Sequence, residues 1–269
     1  GIGIGIGKMT TALVSRRSYL DDHRRAIIAR SLAGALAGAV PLPFLDDWAI
    51  SVVLGGGYKR IARDHQIDID SDAVTSLVHG PSSPTSVVDL AAGGILLRIA
   101  SATTKRMMVL IATVNRARAA ARTYVTMTLF DHYCAKLHTG LAIDRVTALA
   151  LREEIGRAID NTPGALSWKP FRRGALAAAR ASIKAPLELA DLASRGALRR
   201  LLSKKSEVTE AEVVDELDHS IETALATKTN FLSRATAAVE LQLSAEGNPY
   251  LDAVIDNFDR RWRARQAVK

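Results

Sequence analysis

Apolar residues recur at helical spacing along most of the chain, and no stretch alternates for long enough to read as a paired strand. A first helix is predicted over 10–40, with a basic, polar start (Arg16, Arg17, Arg24, Arg25) and a small-residue second half. Pro41 and Pro43 stop it and begin the next, because proline suits a first helical turn and is rejected from an interior one. Asp46 and Asp47 then fall in that first turn, where the helix dipole favours carboxylates. Pro41, Pro43, Asp46 and Asp47 thus read as a structural turn. The second helix carries Trp48, Ile50, Val52 and Val53, meets Gly55, Gly56 and Gly57, and resumes from Tyr58 to Arg63. Each interior glycine costs about 0.8–1 kcal/mol relative to alanine. Three together imply a kink, a break, or another backbone packed closely against them.

Asp70 or Ser71 is the expected cap of a short helix from Ala73 to His79. The nearby acids do not form a calcium loop, because Ala73 stands where the glycine belongs and His79 where the bidentate acid belongs. After a loop over 80–84, a long helical stretch is predicted over 86–138, without proline, then a helix over 141–160 closed by Asn161, Pro163 and Gly164. A further segment divides into two helices at Pro186. Thr209 and Glu212 form a capping box for a helix reaching about Ser244, with Val213, Leu217, Ile221, Ala224 and Leu225 on one face. A last helix covers 251–267. The class is all-α: a multi-helix bundle of close-packed alanine- and glycine-rich helices with a helical C-terminal extension. The organisation predicted is a flexible leader over 1–9, an alanine-rich helical domain over 10–140 and the extension over 141–269.

Composition supports this class. The chain has 269 residues with 44 alanines and 5% aromatics, a poor supply for a β-sandwich or barrel. Charge sharpens the picture further. The net charge is +8, and residues 169–205 alone carry that whole excess through Lys169, Arg172, Arg173, Arg180, Lys184, Arg195, Arg199, Arg200, Lys204 and Lys205, against Glu188 and Asp191. Residues 206–245 are acidic in turn. Either two neighbouring helices complement one another, or the basic segment is a cationic surface for anionic lipid or nucleic acid. Phe171, Leu176, Ile183 and Leu198 would face inward beneath it. Trp262, within the basic run Arg260 to Arg265, is a second possible interfacial anchor or simply part of a solvated helix end. The longest charge-free apolar run, Ser31 to Leu45, would span roughly 22 Å as a helix, short of a ~30 Å hydrocarbon core. No conventional transmembrane helix is expected, although a shallow hairpin over 31–58 stays open. Gly34 and Gly38 read as tight helix packing.

Catalytic motifs are lacking: there is no H-E-x-x-H, G-x-S-x-G or C-x-x-C, and Ile2 and Met9 exclude a phosphate loop in the Gly-Ile leader. Asp131, Cys134 and His138 are zinc-capable groups at i, i+3 and i+7. They read as a buried cysteine near a helix end with a carbonyl-capping histidine, so no metal and no cofactor are expected. His23, His65, His79, His132 and His219 show no partner in sequence. No helix-turn-helix is evident and few aromatics are interleaved for base stacking, which disfavours nucleic acid.

Residues 33–69 run from an alanine/glycine helix through Pro41, Pro43 and Asp46 to an apolar helix, then Ile61, Ala62, Gln66, Ile67 and Asp68. Together with Ala119 to Tyr124 and Thr128 to Phe130, this resembles the small helical domains of the YcjF-like and EcsC-like bacterial groups, over about 25–135. The chain departs from that pattern at Asp64, His65 and Gln66, where an aromatic–glycine pair is usual, and at Gly55 to Gly57. The resemblance implies association with the inner face of the membrane and with GTPase partners, and no enzymatic activity. The expectation is a non-enzymatic helical adaptor, cytoplasmic or peripheral at the inner membrane, with a protein partner or a second copy of itself. An anionic membrane surface is a further partner, nucleic acid the alternative, and no small-molecule substrate is identified.

Overall fold

The structure is a computed structural model, and it describes residues 17–37, 45–81, 114–181, 231–246 and 249–268. Among these lie a 3-10 turn, Ser18–Leu20, and eight α-helices: α1 Asp21–Ala37, α2 Leu45–Asp64, α3 Ser71–His79, α4 Val114–Lys136, α5 Arg145–Asp160, α6 Lys169–Ala181, α7 Phe231–Glu246 and α8 Pro249–Ala267. Two short strands, β1 Asp68–Ile69 and β2 Ala142–Ile143, complete the set. The protein is an all-α bundle. Pro41, Pro43 and the leader lie outside the described residues, while Asp46 and Asp47 stand in the first turn of α2. No described helix is long and apolar enough to cross a membrane.

Helix α4 is the hub, packing against α1, α2, α5, α6 and α8. Its inward residues Tyr124, Val125, Met127, Leu129 and Phe130 are buried. The ring of Tyr58 on α2 meets Phe130 edge-on at 4.8 Å. Helix α2 runs unbroken through its three glycines. Gly57 permits close approach, since a Cβ there would meet Met127 Cε on α4 and come within 3.1 Å of Arg30 Cδ on α1. What comes near is a pair of side chains rather than the backbone that the sequence suggested.

The two strands correct the expectation of no pairing. They run parallel, with Asp68 opposite Ala142 and Ile69 opposite Ile143. Two residues are too few for alternation to show in a sequence. Each strand ends in an Ile-Asp step that starts a helix. Asp70 accepts the Ala73 N–H at 2.7 Å and Asp144 accepts the Thr147 N–H at 2.8 Å, so α3 and α5 begin side by side with equivalent caps. Arg152 of α5 then donates to the carbonyls of Leu77 and Val78, satisfying the otherwise orphaned end of α3.

Helix α8 closes the bundle. Trp262 is buried against the Tyr133 ring, with centroids 5.0 Å apart, and stacks with Phe258. It is therefore core, not an interfacial anchor. Arg261 and Arg265 bind the buried Glu154 at 2.9 Å each, and Arg265 also reaches Glu153. Those arginines pin α8 to α5.

Helices α6 and α7 approach most closely at Gly174, where a Cβ would fall 2.2 Å from Val239 Cγ2 and 3.2 Å from the Ala235 carbonyl. Alanine would add about 1 kcal/mol of helix propensity, but overpacking against a stiff β-branched side chain and backbone costs about 1–3 kcal/mol. Overpacking wins. Gly174→Ala should lower stability in urea unfolding by about 1 kcal/mol or more, and adding Val239→Ala should recover more than Val239→Ala alone would suggest.

Candidate functional site

Of the ten predicted surface cations, Lys169, Arg172, Arg173 and Arg180 lie in α6, and Lys184, Arg195, Arg199, Arg200, Lys204 and Lys205 lie outside the described residues. Helix α6 divides cleanly. Phe171 is buried against the Tyr124 ring of α4, with centroids 5.6 Å apart, and Gly174 is buried against α7, whereas Lys169, Arg172 and Arg173 are exposed. The Arg172 guanidinium lies over the Trp168 ring at 6.0 Å, and Arg173 donates to Gln242 at 3.0 Å. From the acidic segment, Glu240 on α7 lies 3.9 Å from Arg25 on α1. Residues 206–230 lie outside the described set, including the face formed by Val213, Leu217, Ile221, Ala224 and Leu225.

The Asp131, Cys134 and His138 grouping does not form. Helix α4 ends at Lys136, so His138 sits past it, with Nδ1 3.0 Å from the Tyr133 hydroxyl. Burial lowers its pKa. Burial, reinforced by the Asp131 charge, pushes the Cys134 thiol far above its ordinary value, leaving it a packing residue. Asp131 is fully buried and hydrogen-bonds elsewhere.

Its partners are two histidines that stood alone in the sequence. His23 occupies the first turn of α1, with Nδ1 3.0 Å from Asp131 Oδ1. Its other nitrogen, Nε2, lies 3.0 Å from Asp64 Oδ2. His65 follows the end of α2 and places Nε2 2.7 Å from the same Asp131 Oδ1. A specific turn puts it there. Gln66 takes φ 59°, its N–H bonds the Arg63 carbonyl, and the Ile67 N–H reaches back to Ala62. That is a Schellman ending, with glutamine in the left-handed place that glycine usually takes. The strain, about 1–2 kcal/mol for a side-chain-bearing residue, is borne where the chain sets His65.

The imidazoles of His23 and His65 have centroids 5.5 Å apart. The hydrogen bond to Asp131 is the largest influence on His23; burial opposes it, the Asp131 charge and Asp64 assist, and the pKa rises to about 9. Asp131 Oδ1 thus takes both imidazoles, while Oδ2, also buried, has no hydrogen-bond partner among the described residues. His23, His65 and Asp131 bring ligand-type atoms within 4.8 Å of one another. They are the described residues suited to hold a metal.

One residue along α4, His132 is held between Tyr19 and Asp259. Its Nδ1 is 2.5 Å from the Tyr19 hydroxyl and its Nε2 2.6 Å from Asp259 Oδ1. Lys136 sits over the Tyr19 ring at 4.6 Å. Arg17, just before, bonds Asp252 and Asp256 on α8. The start of α1 is thereby tied to both α4 and α8.

The sequence did carry a signal for this cluster. Four of the six histidines directly follow an aspartate: Asp22-His23, Asp64-His65, Asp131-His132 and Asp218-His219. The first three supply His23, Asp64, His65, Asp131 and His132, and His219 lies outside the described residues. Comparison of the chain with family models, with curated proteins and with solved structures finds no match.

Burial raises the Asp259 pKa, but the His132 hydrogen bond and the charges of His132, Arg263 and Arg17 outweigh it and hold the carboxyl below its ordinary 3.8. Its stabilisation is complete above that value and is lost as pH falls through the lower folded pKa. Urea unfolding between pH 6 and pH 2 should show a fall in stability at the acid end that is smaller in Asp259→Asn.

Proposed function

We propose that the chain is a non-enzymatic helical adaptor that engages an anionic membrane leaflet through α6 and the basic segment continuing from it. The inward–outward split of α6 supports this reading: Phe171 and Gly174 seat the helix on α4 and α7, and Lys169, Arg172 and Arg173 are exposed, Arg173 while bonded to Gln242. Trp168 beneath Arg172 adds an aromatic of the kind that sits well at headgroup depth. The resemblance of residues 25–135 to domains associated with the inner membrane face points the same way.

Magnitude restricts the reading. Each Lys or Arg near an anionic leaflet contributes about 1 kcal/mol. Three such residues give only weak binding, so the remaining cations of 169–205 must share the contact. The lack of a spanning helix among the described residues fits attachment at the surface.

Co-sedimentation with phosphatidylserine-containing vesicles should be strong at low salt, weaken with added salt and vanish on pure phosphatidylcholine. Lys169→Glu, Arg172→Glu and Arg173→Glu together should weaken it at least about tenfold. All three are exposed, so the fold should tolerate the change, and circular dichroism of the triple variant checks that the Arg173–Gln242 contact is dispensable. Unaltered binding by the triple variant would overturn the reading, and salt-dependent binding to duplex DNA in place of vesicles would favour the nucleic-acid alternative.

A further inference from the structure

Where α1 begins, α2 ends and α4 passes between them, two imidazoles and one buried carboxylate meet. We infer that this is a binding site for a first-row divalent transition ion of the zinc type, held by His23 Nδ1, His65 Nε2 and the Asp131 carboxylate. It is independent of the adaptor reading and uses none of the same residues.

Distances are the first argument. Zinc lies about 2.0–2.1 Å from nitrogen or carboxylate oxygen, so tetrahedral ligand atoms stand about 3.3 Å apart. Here the two imidazole nitrogens lie 3.0 and 2.7 Å from Asp131 Oδ1, and the three ligand-type atoms fit within 4.8 Å. The two nitrogen–oxygen separations need to open by only a few tenths of an ångström, and the widest separation in the set, 4.8 Å at most, must close by up to about 1.5 Å, a movement within reach of side-chain rotation at the partly exposed His23 and His65. The elements bearing them are a helix start, a capped helix end and a helix interior, so the groups are already assembled.

The second argument is the unused oxygen. Asp131 is fully buried, yet both histidines converge on Oδ1 and leave Oδ2 without a hydrogen-bond partner among the described residues. Buried carboxylate oxygens are ordinarily satisfied. An ion placed between the imidazoles is shared by the whole carboxylate, which accounts for the atom that the hydrogen bonds leave over.

Asp64 supplies the third. Metal-bound histidines usually donate their other ring N–H to a carboxylate, which sets the tautomer and orientation. His23 Nε2 lies 3.0 Å from Asp64 Oδ2, so with Nδ1 on the ion its N–H points at that acceptor. Arg60 lies 4.0 Å from the same Asp64 oxygen and steadies it in turn. Two nitrogens with one oxygen also select the chemistry. Calcium and magnesium prefer all-oxygen sets, whereas imidazole suits zinc and its neighbours. Three protein ligands leave at least one position for water, and His23 and His65 are only partly buried, so solvent can reach it.

Isothermal titration of zinc chloride into the full chain, freed of any tag and stripped with chelator, should show one site with a dissociation constant of about 1 µM or below. Cobalt(II) should occupy the same site with visible d–d absorption of tetrahedral or five-coordinate type and be displaced by zinc. His65→Gln should weaken zinc binding at least about tenfold, Asp131→Asn similarly, and Asp64→Asn by about 10–100-fold as an orienting residue. His138→Gln, which lies off the site, should bind as the unaltered chain does. If Asp131→Asn fails to fold, His65→Gln at its partly exposed position still decides. No saturable zinc binding, or binding unchanged in His65→Gln, would overturn the assignment.

Discussion

A fully buried carboxylate on the central helix governs how one end of this bundle is built. An aspartate cannot be taken out of water uncompensated, because desolvating an unpaired charge costs several kcal/mol. Asp131 sits at 0% exposure. Groups able to donate to it, or to share a cation with it, must therefore be brought to its side. His23 comes from the start of α1 and His65 from the turn after α2. The left-handed Gln66 shows that the backbone accepts strain to deliver one of them. Two helix ends are thereby registered about a single atom inside a third helix, Asp131 Oδ1.

Polar ties continue outward from that point. Tyr19, His132 and Asp259 run from α1's approach across α4 to α8, and Arg17 reaches α8 through Asp252 and Asp256. Beyond them the bundle is held by ordinary apolar packing, with α4 at its centre. Small residues set the spacing there: Gly57 makes room for Met127 and Gly174 for Val239. Just beyond the His65 turn, repetition organises the chain, as two Ile-Asp steps pair as minimal strands and launch α3 and α5 together. Division of labour follows: apolar contact supplies cohesion, and the polar layer specifies which helix ends meet.

Surface charge belongs to a different part of the molecule. The basic excess begins on α6, whose inner side packs on α7, and Glu240 of α7 also reaches Arg25 on α1. The C-terminal arginines divide from that pattern. Arg261 and Arg265 are occupied by Glu154 and Glu153, so their basic run is a clasp between α5 and α8. That clasp forms because α5 brings carboxylates within reach of the α8 arginines.

Helical class, the Asp70 cap and the last helix were readable along the chain, because apolar period, capping and breakers are local properties that tertiary contact did not override here. The unbroken passage through Gly55 to Gly57, the strand pair and the buried place of Trp262 were not readable, since each depends on what lies opposite. The polar cluster is the sharpest case. His23, His65 and Asp131 are separated by tens of residues, and helical spacing proposed Cys134 and His138 as Asp131's companions. Spacing along one helix reports only which side chains share a face. Packing determines what that face meets, and a buried charge selects its partners by distance in space, which no interval in sequence measures.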